Sequence, residues 1–196
     1  MYGSVHPAIL TSAQPTDEPF VVLSFDDGPG RNLTQILDVL EQERVPALFF
    51  WQSRLLHPKK PWKRVLEGGH VIGSHTTKHV NLCKLTYEQQ YREIQHSIQR
   101  IEAVTGNHVE FLRPPFGQFN EDTILAAKEL NVSIVMWKVA SLDWELKERP
   151  HEIVSNVTEN LENGTIILLH ELKHTAEILP ELIQAIRQKG YGFKLI

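Results

Sequence analysis

Phe20-Val21-Val22-Leu23-Ser24-Phe25-Asp26-Asp27-Gly28-Pro29 runs from a stretch of large apolar residues straight into two adjacent carboxylates and a Gly-Pro turn. The apolar run is short, rich in β-branched and aromatic side chains, and closed by turn residues, which is the pattern of a buried strand. Directly after it, Asn32 to Glu43 places Leu33, Ile36, Leu37 and Leu40 on one helical face. A buried strand followed by an amphipathic helix is one βα unit.

The same rhythm continues to the end of the chain. Further strands are expected at Ala47 to Trp51, Val71 to Gly73, Val109 to Leu112, Val132 to Trp137, Thr165 to Leu169 and Tyr191 to Leu195, which makes seven with Phe20 to Phe25. Helices are expected at Pro61 to Glu67, Tyr87 to Val104, Asn120 to Leu130, Pro150 to Leu161 and Ala176 to Lys189, with Asn120 as a helix N-cap and Gly190 as a stop. Alternating βα units define the α/β class, as an open doubly wound sheet or a closed barrel. Both gather functional residues at the C-terminal ends of the strands.

With 196 residues, 41% hydrophobic and 22% charged, the chain can bury one substantial core. The expected division is a leader over residues 1–18, extended, and one domain over 19–196. A formal charge of -4 and a pI near 6.2 provide no general attraction to nucleic acid or anionic membrane. No transmembrane run or secretory signal is visible. The protein is therefore expected in the cytoplasm if the chain is complete, and outside the cell or in its envelope if the chain is cut from a longer precursor. Oligomeric state has no sequence signal. Cys83, the single cysteine, is expected to be a small buried side chain.

Polar residues follow strand after strand. Two neighbouring carboxylates repel unless a cation compensates, so Asp26-Asp27 suggests a metal ligand beside a carboxylate free to move protons. His75-Thr76-Thr77-Lys78-His79 sets two imidazoles four residues apart, facing one way on a helical turn, and with Asp27 as third ligand they would hold Zn²⁺ or a similar divalent ion. Arg113-Pro114-Pro115-Phe116-Gly117 cannot continue as a helix and reads as a rigid loop, holding Arg113 against a carboxylate or leaving it as a surface arginine. Asp143 can orient His170 and raise its pKa, with Trp144 and Leu168 walling a small apolar pocket or simply packing. His170-Glu171-Leu172-Lys173-His174 also matches the H-E-x-x-H pattern of zinc peptidases. That motif needs a helix under both histidines, whereas His170 here ends a strand-like run.

Taken together, SFDDGP, HTTKH, RPPFG, SLDW and LLHE, in this order, resemble the motifs of the carbohydrate esterase family 4 polysaccharide deacetylases, the NodB homology domain. The resemblance covers almost the whole chain after Phe20. It implies a distorted (β/α)7 barrel and a metal-dependent hydrolase that removes acetyl groups from an acetylated glycan, chitin-like or peptidoglycan-like. It further implies Asp27, His75 and His79 as ligands of Zn²⁺, with Co²⁺, Ni²⁺ or Mn²⁺ as other occupants. Asp26 would be the general base, Arg113 its partner, His170 the general acid and Asp143 the residue that tunes it. Phe116 would offer a backbone N-H to the oxyanion, while Trp144 and Leu168 would receive the acetyl methyl. Two positions depart from the family pattern: Glu171 stands where Asp or Asn is common, and Phe116 replaces the more frequent tyrosine. The rival readings are a metal-dependent hydrolase of a small non-sugar amide, a catalytically silent glycan-binding module, and the H-E-x-x-H peptidase.

Overall fold

The computed structural model of the chain describes residues 9–196, so residues 1–8 of the expected leader lie outside the described residues. In chain order the elements are β1 (Ile9–Leu10), β2 (Phe20–Gly28), α1 (Leu33–Glu43), β3 (Ala47–Trp51), α2 (Trp62–Glu67), β4 (Val71–Ser74), α3 (Tyr87–Thr105), β5 (Phe111–Leu112), α4 (Glu121–Glu129), β6 (Ser133–Val135), β7 (Val139–Ala140), α5 (His151–Thr158), β8 (Thr165–His170), α6 (Lys173–Gln188) and β9 (Gly192–Phe193). Single 3-10 turns occupy Ser53–Leu55, Leu82–Lys84 and Pro115–Gly117. Asn120 caps α4 as expected, accepting a hydrogen bond from Thr123 N.

All the strand pairs are parallel, and the sheet order is β1-β6-β5-β4-β3-β2-β8-β7, with β9 added beside β2. From β2 to β6 the chain steps in one direction from neighbour to neighbour, without the reversal of a doubly wound sheet. It then passes from β6 to β7 in three residues, leaving β5 and joining β8 on the far side of β2. This is a barrel whose ring is brought round by one bending stretch of chain. Seven strands, β2 to β8, make its staves. The number matches the seven expected from the sequence, but the membership differs. The strand expected at Val132 to Trp137 is shortened to β6, β7 beyond it was not expected, and the terminal strand is an accessory. Ile9–Leu10, from the leader, pairs with β6.

Period-two alternation sorts the strand side chains into two cores. Val21, Leu23 and Phe25 of β2, Phe49 and Trp51 of β3, and Ile167 and Leu169 of β8 face outward and pack against the apolar stripes of α1, α3 and α6. Phe20, Val22, Leu48, Phe50, Val135 and Ile166 face inward and fill the barrel. Each such side chain contributes roughly 1.5–3 kcal/mol by its burial, so the lower barrel can support a polar upper layer. Gly73 sits inside this packing because a Cβ there would come within 2.8 Å of the Phe50 ring.

Two local expectations need correction. Cys83 is exposed, because the 3-10 turn that contains it turns Leu82 inward instead. The segment between His75 and His79 is a turn and not helical: Thr76 and His79 adopt left-handed φ values of 64° and 57°.

Candidate metal centre and catalytic site

The inward parity of each strand continues to its C-terminal end and there becomes polar. Phe20, Val22, Ser24 and Asp26 lie on the inner side of β2, and Ile166, Leu168 and His170 on that of β8, where Asp26 and His170 are register partners. His75 and Arg113 follow β4 and β5. Asp27 needs a special device, since the residue after Asp26 in a regular strand would point outward. The β2–β3 register shifts between Asp26 and Gly28, and Asp27 takes a φ of 68°. That bulge brings both carboxylates of the dipeptide to the same rim.

One ligand atom each from Asp27, His75 and His79 lies within 4.8 Å of the others. Asp27 Oδ1 is 3.4 Å from His79 Nε2 and 3.8 Å from His75 Nε2. His75 Nδ1 is 2.6 Å from the Arg113 carbonyl oxygen, to which it must donate, so Nε2 keeps its lone pair for an ion. Burial holds the His75 pKa below its usual value despite the charges of Asp26 and Asp27, which favours the neutral, ligating form. The His75–His79 turn is fastened from α3, where Glu93 Oε1 accepts hydrogen bonds from Thr77 N and Lys78 N. Two imidazoles and a carboxylate in this arrangement fit a divalent ion such as Zn²⁺.

Arg113 is fully buried, which removes the surface-arginine reading. Its Nη1 donates to Asp26 Oδ1 at 2.7 Å and to Ser24 Oγ at 2.9 Å, while Nε and Nη2 donate to the carbonyls of Val135 and Met136. The guanidinium lies 4.1 Å from the Phe50 ring centre. Asp26 Oδ2 faces His75 Nε2 at 3.7 Å.

Asp143, also fully buried, accepts from His170 Nδ1 on Oδ1, and from His170 N and Thr175 Oγ1 on Oδ2, each at 2.7 Å. The Nε2 of His170 is thereby turned toward Asp27 Oδ2, 4.0 Å away. Burial lowers the His170 pKa, but the hydrogen bond and charge of Asp143, helped by Asp26 and Asp27, outweigh it and the net shift is upward. His174 is in the first turn of α6, with Nε2 2.7 Å from the Asp143 carbonyl, while His170 ends β8. The H-E-x-x-H pair therefore does not share a helix.

These groups surround a cavity of about 350 Å³ lined by Asp26, Asp27, His75, His79, Phe116, Gly117, Trp137, Trp144, Leu168, His170 and Leu172. Arg113 and Asp143 lie behind its wall. Phe116, at a φ of 59°, and Trp144 keep 59% and 45% of their surface exposed, and their rings stand edge to face with His79 and His170. The sequence model for polysaccharide deacetylase matches residues 13–135. The chain belongs to the polysaccharide deacetylase family.

Relatives in this family agree. The peptidoglycan-N-acetylglucosamine deacetylase of Bacillus cereus is 34% identical over 187 residues, spanning 91% of this chain and 67% of that one. The crystal structure of the Bc1960 peptidoglycan N-acetylglucosamine deacetylase in complex with 4-naphthalen-1-yl-N-oxidanyl-benzamide superposes with a TM-score of 0.88 at 32% identity, covering 95% of this chain and 90% of that one. BA3943 of Bacillus anthracis, described as a CE4 family pseudoenzyme, superposes with a TM-score of 0.86 at 25% identity, covering 96% and 67%. The chain spans between 63% and 68% of the length of three curated relatives it matches. The fold is thus the distorted barrel of this deacetylase family.

Several polar residues of the site gave no signal as a motif. Gln52 and Trp137 lie two positions beyond the inward Phe50 and Val135, so strand parity alone points to them. Glu93 and Thr175 act from helices, out of reach of any strand pattern. Glu171, seen in the sequence only as a departure, is buried and clamps the loop after β2: Oε2 accepts from Gly30 N at 2.5 Å and Oε1 from Trp51 Nε1 at 2.8 Å. A Cβ on Gly28 would overlap its carboxylate.

Proposed function

We propose that this protein is a metal-dependent hydrolase that removes acetyl groups from an N-acetylated glycan of the peptidoglycan or chitin type. One observation carries the reading: a carboxylate held by a buried arginine and a histidine held by a buried aspartate flank a single Asp-His-His group on one cavity. The exposed rings of Phe116 and Trp144 beside that cavity suit the apolar faces of sugar rings, and the relatives' names supply the substrate class.

Asp27, His75 and His79 would hold the divalent ion, most simply Zn²⁺. When bound, the ion supplies Lewis-acid polarisation of the acyl carbonyl and of a nearby water. Asp26 accepts a proton from the water that attacks the acyl carbon, and Arg113 holds its carboxylate fixed in direction. As the C–N bond breaks, Nε2 of His170 delivers a proton to the departing nitrogen, while Asp143 holds Nδ1 and stabilises the imidazolium. The products are acetate and a free amino sugar. Phe116 N-H is assigned to the developing oxyanion, and Leu168 with Trp144 to the acetyl methyl. BA3943 is described as a CE4 family pseudoenzyme; what supports activity here is that the Arg113–Asp26 and Asp143–His170 pairs and the Asp27-His75-His79 group stand on one cavity.

The test is acetate release by the Zn²⁺-loaded protein from chitooligosaccharides, peptidoglycan fragments and acetylated xylan. Turnover is expected on an N-acetylated glycan, with Asp26→Asn reducing it more than 100-fold while retaining metal, and Asp27→Ala losing the metal. A metal-loaded protein inactive on every glycan would favour the small-amide hydrolase or the silent module.

A further inference from the structure

Gln52 follows β3 at the inward parity of Leu48 and Phe50 and is 7% exposed. Its Nε2 donates to Asp27 Oδ1 at 2.9 Å, and its Oε1 accepts from both Nε and Nη2 of Arg54, at 3.1 and 3.0 Å. The orientation of the amide is fixed by its neighbours, because the guanidinium only donates and an ionised carboxylate only accepts. Asp27 Oδ1, the oxygen that Gln52 holds, is also the one facing both imidazoles.

The backbone ties the same residue to both arms of the ligand group. Gln52 N donates to the carbonyl of Gly28, next to Asp27, at 2.8 Å. On either side of it, His75 N donates to Trp51 O at 2.9 Å and Ser53 N to Thr76 O at 3.0 Å. Asp27 sits on a bulge with a left-handed φ, so no regular strand geometry directs its side chain. Apart from Gln52, no side chain donates a neutral hydrogen bond to it among the described residues.

We propose that Gln52, anchored by Arg54, is a positioning relay that points Asp27 Oδ1 at His75 and His79 and so sets the affinity of that group for a divalent ion. The inference rests on the metal-ligand reading above. Arg54 polarises the Gln52 amide by donating twice to its oxygen, which strengthens the N-H that Asp27 receives. A carboxylate ligand held this way loses less rotamer freedom when an ion binds.

The test measures the Zn²⁺ dissociation constant of the full chain by competition with a chelating indicator, together with the visible spectrum of the Co²⁺-loaded protein. Gln52→Leu is expected to weaken Zn²⁺ binding about 10- to 100-fold and to change the Co²⁺ spectrum. Arg54→Met, on an exposed side chain, should weaken binding by a smaller factor. The double variant should bind no worse than Gln52→Leu, because the two act in series, and Arg54→Lys should recover part of the loss. The urea midpoint of the metal-free protein should stay unchanged for Arg54→Met, which separates positioning from folding. Wild-type Zn²⁺ affinity in a folded Gln52→Leu or, if that variant does not fold, in Arg54→Met would overturn the relay alone. Folded wild-type protein that binds neither Zn²⁺ nor Co²⁺ would overturn the ligand reading and the relay with it.

Discussion

His170 shows how much of this site depends on single charges. Desolvation acts to strip its proton, and the Asp143 hydrogen bond and charge act to keep it, with the second effect larger. A raised pKa extends the protonated, acid-competent form toward higher pH. Asp143→Asn keeps an oxygen for Nδ1 but removes the charge, so burial should then dominate and pull the pKa down. The alkaline limb of the kcat profile is expected to move to lower pH, with kcat lowered about 10²- to 10⁴-fold. An unmoved limb would mean that another group is the acid. At this scale the sequence was legible wherever a residue ended a strand inside a recognisable motif. Glu93, Thr175 and Gln52 were not, because each acts through side-chain hydrogen bonds to a separate element, which no local pattern records.

At the scale of elements, the junction of β8 and α6 is fastened to the β2–α1 loop through Glu171. Burial pushes this carboxyl up to about 7, and the nearby Asp27 charge adds to that, against the opposing hydrogen bonds of Gly30 and Trp51 and the charge of Lys60. Because the folded pKa lies above the ordinary value of 4.5, the folded state binds the proton more tightly. The resulting stability is fully present below pH 4.5 and is lost as pH rises through about 7. A shift of about 2.5 units corresponds to about 3 kcal/mol. Glu171→Gln removes the titrating group, so the urea stability of the metal-free wild type relative to the metal-free variant should fall between pH 4.5 and pH 8. Parallel stability curves across that window would refute the assignment. Element boundaries were read well where periodicity was long, as in α1 and α3. They were misread at α6, which starts at Lys173 and not at Ala176, and after β6, where β7 went unseen because a two-residue strand is too short to show a hydrophobic period.

For the molecule as a whole, the three candidate ligand residues come from the end of β2 and from the turn after β4, with β3 lying between the two strands. An ion held there would link segments that separate on unfolding, so its binding free energy would add to global stability. At a free Zn²⁺ concentration 100 times the dissociation constant the gain is about 2.7 kcal/mol, which for a chain of this length raises Tm by roughly 5–10 °C. Thermal unfolding with Zn²⁺ and with a chelator should show that difference in the wild type and in Asp26→Asn, and none in Asp27→Ala. Equal Tm values in the wild type would remove the metal from the reading. No helix among the described residues is long and apolar enough to cross a membrane.

The amino-acid sequence by itself determined the α/β class, most of the staves, and the residue types at their ends. These properties are local, set by the period of apolar residues and by short polar motifs. Tertiary structure alone decided that the sheet curls into a barrel, since closure depends on β6–β7 bending from β5 to β8. It also decided that Asp26 and Asp27 share a rim, through a bulge and a left-handed backbone, and that His75 and His79 meet on a non-helical turn. The pairing of Arg113 with Asp26, of His170 with Asp143 and of Gln52 with Asp27 brings together residues separated by between 25 and 87 positions. Such contacts are made only when the packed barrel holds the strand ends side by side.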